Sequence, residues 1–110
     1  MISLHVYLTP KPGREKDLAD AICNKWLVAM SEQPGFLSAG LLEPFSDDEL
    51  AKLGASTPET TYEVISLWQS EEERLAWVAR PIHDEVFAGV IDAAGTVKYT
   101  LQTIKRSWNL

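Results

Sequence analysis

Between Ile2 and Thr9 the chain alternates without interruption: Ile2, Leu4, Val6 and Leu8 are apolar, while Ser3, His5, Tyr7 and Thr9 point the other way. That period of two predicts a half-buried strand with a more polar second face. Pro10 to Gly13 make a turn, because the proline fixes its own dihedral and the glycine is permissive. The period then lengthens. Leu18, Ile22, Trp26, Ala29 and Met30 form the apolar stripe of a helix predicted from about residue 14 to 32, with Glu15, Lys16, Asp17, Asp20 and Lys25 mostly off it. Pro34 and Gly35 close this helix. A second strand is predicted over 36–44, with Phe36, Ser38, Gly40 and Leu42 on one side and Leu37, Ala39, Leu41 and Glu43 on the other; Gly40 marks a bulge or a close backbone approach.

Residues 45–61 read as a polar insertion. Ser46-Asp47-Asp48-Glu49 has the pattern of a capping box and predicts a short helix to Leu53, and the rest is loop, either a lid or decoration. Alternation resumes at Tyr62 and predicts a third strand to Gln69. Ser70 then caps a helix, with Glu73 reaching back to it and Glu71, Glu72 and Glu73 at the positive end of its dipole. Pro81 predicts a break near Arg80 and a second helical piece from about Ile82 to Ala94. A last strand is predicted from Thr96 to about Trp108, with Val97, Tyr99 and Leu101 on one face and Ile104 and Trp108 on the other.

The order β-α-β-β-α-β predicts an α+β fold of the ferredoxin-like kind, an antiparallel sheet with its helices on one face. The other face, with His5 and Tyr7, is too apolar and aromatic to stay wet. A second copy covering it is the expected solution, a homodimer packed sheet to sheet.

The 110 residues, 45% hydrophobic and 24% charged, suit one domain spanning 1–110. A net charge of −6 with scattered basic residues argues against a nucleic-acid groove or an anionic membrane surface. No apolar run approaches a membrane span, and a lone cysteine, Cys23, forms no internal disulfide; these features predict a cytoplasmic protein with Cys23 a buried, inert thiol. No phosphate-cradling glycine loop, nucleotide fingerprint, nucleophile elbow or metal-ligand spacing is present, so neither cofactor nor metal is expected.

Pro34-Gly35-Phe36-Leu37, then Tyr62-Glu63-Val64-Ile65-Ser66-Leu67-Trp68-Gln69-Ser70, then Glu71 to Trp77 and His83, resemble the antibiotic biosynthesis monooxygenase (ABM) domain family over nearly the whole chain outside the insertion. The resemblance implies a dimeric α/β barrel of two ferredoxin-like protomers, with a small-molecule pocket between sheet and helices. Members of that family include cofactor-independent oxygenases that turn polycyclic phenols into quinones, quinol monooxygenases and haem-degrading enzymes. The haem-degrading branch also uses an asparagine in the first strand and a histidine in the second helix; here those positions fall on Val6 and near Phe87, which argues against haem chemistry.

A redox enzyme without a cofactor needs a substrate that supplies its own electrons, and a deprotonated phenol or hydroquinone can pass them to dioxygen. The expected site therefore has Trp68, Tyr62 and Trp77 lining an aromatic pocket, His83 accepting the phenol proton and Arg80 holding the anion. Each residue also has a plainer reading: Trp68 and Trp77 as core, His83 as a capping or surface residue, and Arg80 as an exposed arginine at a helix break. A non-catalytic module that sequesters a hydrophobic metabolite is the alternative function. His5 and Tyr7 read as interface residues or as a proton relay.

Overall fold

The computed structural model describes residues 1–109. Its elements are β1 (Ile2–Pro10), α1 (Glu15–Ala21), a π-helical turn (Ile22–Trp26), α2 (Leu27–Ser31), β2 (Phe36–Leu42), α3 (Asp47–Leu53), β3 (Tyr62–Trp68), α4 (Glu71–Val78), α5 (Pro81–Ala93) and β4 (Ala94–Thr103). The strands form one antiparallel sheet in the order β2-β3-β1-β4. The helices other than α3 pack on one face, giving the expected ferredoxin-like architecture. Among the described residues no helix is long and apolar enough to cross a membrane.

β1 is central, so both of its edges are paired. Leu4, Val6 and Leu8 are buried under the helices, and Val6 sits opposite Val64 on one side and Tyr99 on the other. The first helical run buries Leu18, Ile22, Trp26 and Met30, residues spaced by four throughout. In a regular α-helix each such step drifts about 40° around the axis. The wider π turn at 22–26 counters this drift and keeps all four on the sheet. Cys23 departs from its expected burial and is exposed. The straight stripe through Ile22 and Trp26 leaves the residue after Ile22 facing out.

Three further expectations are corrected. The irregularity in β2 lies between Phe36 and Ser38, not at Gly40. It places both Phe36 and Leu41, residues of opposite parity, against the core. The last strand ends at Thr103 rather than near Trp108, because Thr103 pairs with Ile2 and β1 has no earlier residue in the ladder. At the Ser70 cap only half of the box forms. The Glu73 backbone N–H donates to Ser70 Oγ (3.2 Å), but the Glu73 side chain lies over Gly35 instead of returning to Ser70.

The insertion carries the expected short helix, α3. Ser46 and Glu49 form a full capping box, Gly54 ends α3 in a left-handed conformation, and Leu50 is buried. Pro81 acts as expected: Arg80 is extended (φ −78°, ψ 143°), and α5 begins at the proline itself, which has no N–H to lose at that position.

Gly35 has φ +84°, and a β-carbon there would collide with Glu73. Gly13 has φ +75° but open space around it. Gly35→Ala should therefore cost about 1–3 kcal/mol, seen as a fall in Tm of several degrees, and more than Gly13→Ala in the same thermal melt.

Candidate functional site

The end of the sheet where β3 finishes gathers most of the predicted residues. Trp68, last in β3, is fully buried, and its indole N–H donates to the equally buried Ser66 Oγ (3.2 Å). Phe36 meets its ring edge-on at 5.6 Å. Trp77 is buried on the inner side of α4, where its place in the helix turns it toward the sheet. Both tryptophans thus contribute to the core in this conformation.

Because Pro81 restarts the helix, His83 is aimed by α5 and not by α4. Its ring stands edge-on to Trp77 (5.0 Å) and stacks with Phe87, one turn further along α5 (5.5 Å). Phe87 in turn packs against Trp26 from the π turn (4.9 Å). Trp77, His83, Phe87 and Trp26 form one aromatic row that links α4, α5 and the π turn. The His83 side chain keeps 14% of its exposure, and Nδ1 approaches Asp84 at 3.4 Å. The other ring nitrogen makes no hydrogen bond among the described residues. In this row, the Trp26 indole nitrogen is buried without a hydrogen-bond partner.

Arg80 is half-buried at the break. Its Nη1 donates to Gln33 Oε1 (2.9 Å), and Gln33 Nε2 donates to the Ala29 carbonyl (3.0 Å), so the arginine ties α5 to the end of α2. It forms no ion pair among the described residues.

Tyr62 is separated from this group. It pairs with Leu8 while Trp68 pairs with Ile2, which puts them about 20 Å apart along β3 at ~3.3 Å per residue. Burial raises the Tyr62 phenol pKa above its ordinary value, helped by Glu43 and Glu15. The hydroxyl therefore stays protonated at neutral pH.

The second face of the sheet holds features that the sequence did not reveal. His5 Nδ1 lies 2.8 Å from Glu63 Oε2, its Nε2 lies 3.1 Å from Ser3 Oγ, and its ring runs nearly parallel to Tyr7 at 6.5 Å. Beyond them the insertion rises beside the sheet to form an open groove of about 730 Å³, walled by Tyr7, Leu42, Pro44, Pro58, Glu63 and Lys98 among others. Only the 45–61 length and the parity of Tyr7 and Glu63 hinted at it. Among the described residues no three His, Cys, Asp or Glu side chains gather as a metal site.

The fold is that of ferredoxin-like proteins with a helix-covered antiparallel sheet. A sequence model of the antibiotic biosynthesis monooxygenase family matches residues 1–89, and the chain belongs to that family. Among solved structures it is similar to SnoaB, a cofactor-independent oxygenase from Streptomyces nogalater (TM-score 0.76, 15% identity, covering 99% of this chain and 97% of that one). It is also similar to a candidate antibiotic biosynthesis monooxygenase from Deinococcus radiodurans (TM-score 0.75, 14% identity, 100% and 98% covered). A third similar structure is a dimeric ferredoxin-like protein of unknown function from Thermobifida fusca (TM-score 0.71, 11% identity, 94% and 90% covered). No curated protein matches the sequence.

Two outcomes test this description. Trp68→Phe strips buried Ser66 of its partner, whereas Trp26→Phe removes a donor that has none. Denaturant unfolding should therefore find Trp68→Phe the more costly by about 1–2 kcal/mol. In an ultraviolet pH titration, one phenol should ionise above the ordinary tyrosine range and vanish in Tyr62→Phe. With the folded pKa raised, its contribution to stability is present below the unfolded value and lost as pH climbs through the folded one.

Proposed function

We propose that this protein is a cofactor-independent monooxygenase that oxidises an electron-rich phenol or quinol to a quinone with dioxygen. The observation that supports this reading, within the family, is the setting of His83. It is an imidazole walled by Trp77 and Phe87, with one ring nitrogen free of protein partners, at the rim of an aromatic layer that suits a flat substrate. In the reaction His83 takes the phenol proton, and the phenolate supplies electrons to dioxygen. One oxygen atom enters the ring and the other leaves as water, so the substrate provides all four electrons. Arg80, held by Gln33 with guanidinium donors to spare, stabilises the anion. The substrate reaches Trp68 and Trp77 only when the helices move off the sheet, since both rings are buried in the closed state. The working form is a homodimer joined through the second sheet face, where His5, Tyr7, Ile65 and Leu67 are only half-buried in the single chain.

The closed aromatic layer favours a second reading, a non-catalytic module that binds a hydrophobic metabolite between sheet and helices. A thermal-shift screen with polycyclic phenols, hydroquinones, quinones and haem, followed by oxygen uptake on each hit, separates the two. A ligand at about 100 times its dissociation constant adds roughly 2.7 kcal/mol. The monooxygenase reading expects oxygen consumption with a phenol or quinol, reduced about 100-fold or more in His83→Ala and clearly lowered in Trp68→Phe while both variants stay folded. Binding without oxygen uptake supports the module, unchanged turnover in both variants removes the residue roles, and a haem hit overturns both readings.

A further inference from the structure

The groove on the second sheet face carries unpaired charge. Glu43 and Glu59 line it and form no ion pair among the described residues; Glu63 is engaged with His5, and Lys98 is the one basic residue in the lining. Its flat apolar walls come from Tyr7, Pro44, Pro58 and Leu42. The chain also has an exposed segment of opposite character. After β4, residues 104–109 carry Lys105 and Arg106, both exposed and without ion pairs among the described residues, followed by Trp108, which is 75% exposed and has the Arg106 guanidinium 6.0 Å from its ring centre. Arginine and tryptophan are the residue types that most often anchor protein interfaces.

The two features do not meet within one chain. The groove is at the Tyr7 and Thr9 end of β1, whereas the segment leaves the sheet at the other end, where Thr103 pairs with Ile2 and the Ile104 N–H donates to the Met1 carbonyl (3.0 Å). About 20 Å of strand separates them at ~3.3 Å per residue. A two-fold axis across the strands exchanges the ends of two sheets packed face to face, and so lays each segment beside the other copy's groove.

From this charge match and this placement we infer that the acidic groove of each protomer receives residues 104–109 of a second copy. Lys105 and Arg106 of the second copy pair with Glu43 and Glu59, and its Trp108 packs against the prolines. The inference rests on the sheet-to-sheet homodimer proposed above and fixes the direction of its axis. It also gives the insertion a role, since residues 43–44 and 58–61 build the receiving wall. Two chains of net charge −6 repel at long range, and a local contact of opposite sign offsets that repulsion where the surfaces touch.

A charge-swap cycle read by sedimentation equilibrium tests it. The variants are Lys105→Glu with Arg106→Glu, Glu43→Lys with Glu59→Lys, and all four together, each checked for intact folding by circular dichroism. Each reversed pair should weaken the dimer by about tenfold or more, and the fourfold variant should return to within about threefold of the original. Trp108→Ala should also weaken it, without involving charge. A dimer of unchanged affinity in both reversed pairs, or a fourfold variant weaker than either, overturns the segment-in-groove contact and leaves sheet pairing intact. A strictly monomeric parent chain overturns the dimer and this contact together.

Discussion

The structure depends on filling one thick apolar layer between a four-stranded sheet and its helices, and indole rings are the largest side chains in it. Trp26, Trp68 and Trp77 come from the first helical run, β3 and α4, and all three are buried together with Phe36 and Phe87 at their edges. Each such ring removes roughly 150–250 Å² from water, worth several kcal/mol at about 25 cal/mol per Å². That gain exceeds the roughly 1–3 kcal/mol cost of leaving the Trp26 N–H buried without a partner. Close packing of the layer also explains the π turn, which holds Trp26 in line with Ile22 and Met30 at the expense of regular helix geometry.

The same layer governs the chemistry available. His83 belongs to the aromatic row through Trp77 and Phe87, so its orientation is fixed by packing more than by hydrogen bonds. Arg80 is fixed differently, by an amide on the neighbouring helix. Both lie beside the break at Pro81, where α4 ends and α5 begins. The two faces of the sheet are therefore unlike: one is dry, aromatic and closed, and the other mixes apolar and polar side chains, is acidic at one end and is open.

Much of the architecture was legible because it follows from local rules. The alternation in β1, the Ser46 capping box, the extended Arg80 before Pro81 and the β-α-β-β-α-β order are consequences of side-chain period and backbone sterics, and these act within a few residues. The ABM resemblance was legible for the same reason, since its marks lie in short stretches around Pro34 and Trp68. The errors share a cause. Cys23, the β2 bulge and the end of β4 depend on what lies across the sheet: a stripe that must stay straight, a Phe36 and a Leu41 that must reach the same core, and a neighbouring strand that has no earlier residue to pair with.

The sequence by itself determined which segments are strands and helices, where they are capped or broken, and the family to which the chain belongs, because propensity, period and capping are encoded in neighbouring residues. Tertiary structure alone decided the rest. It grouped Trp68, Trp77, His83 and Arg80 at one end of the sheet and left Tyr62 at the other. It sealed the tryptophans inside, gave Arg80 to Gln33, and raised the insertion beside Tyr7 and Glu63 into a groove. Such outcomes arise from the packing of residues far apart in the chain, and no local pattern records the distance between them.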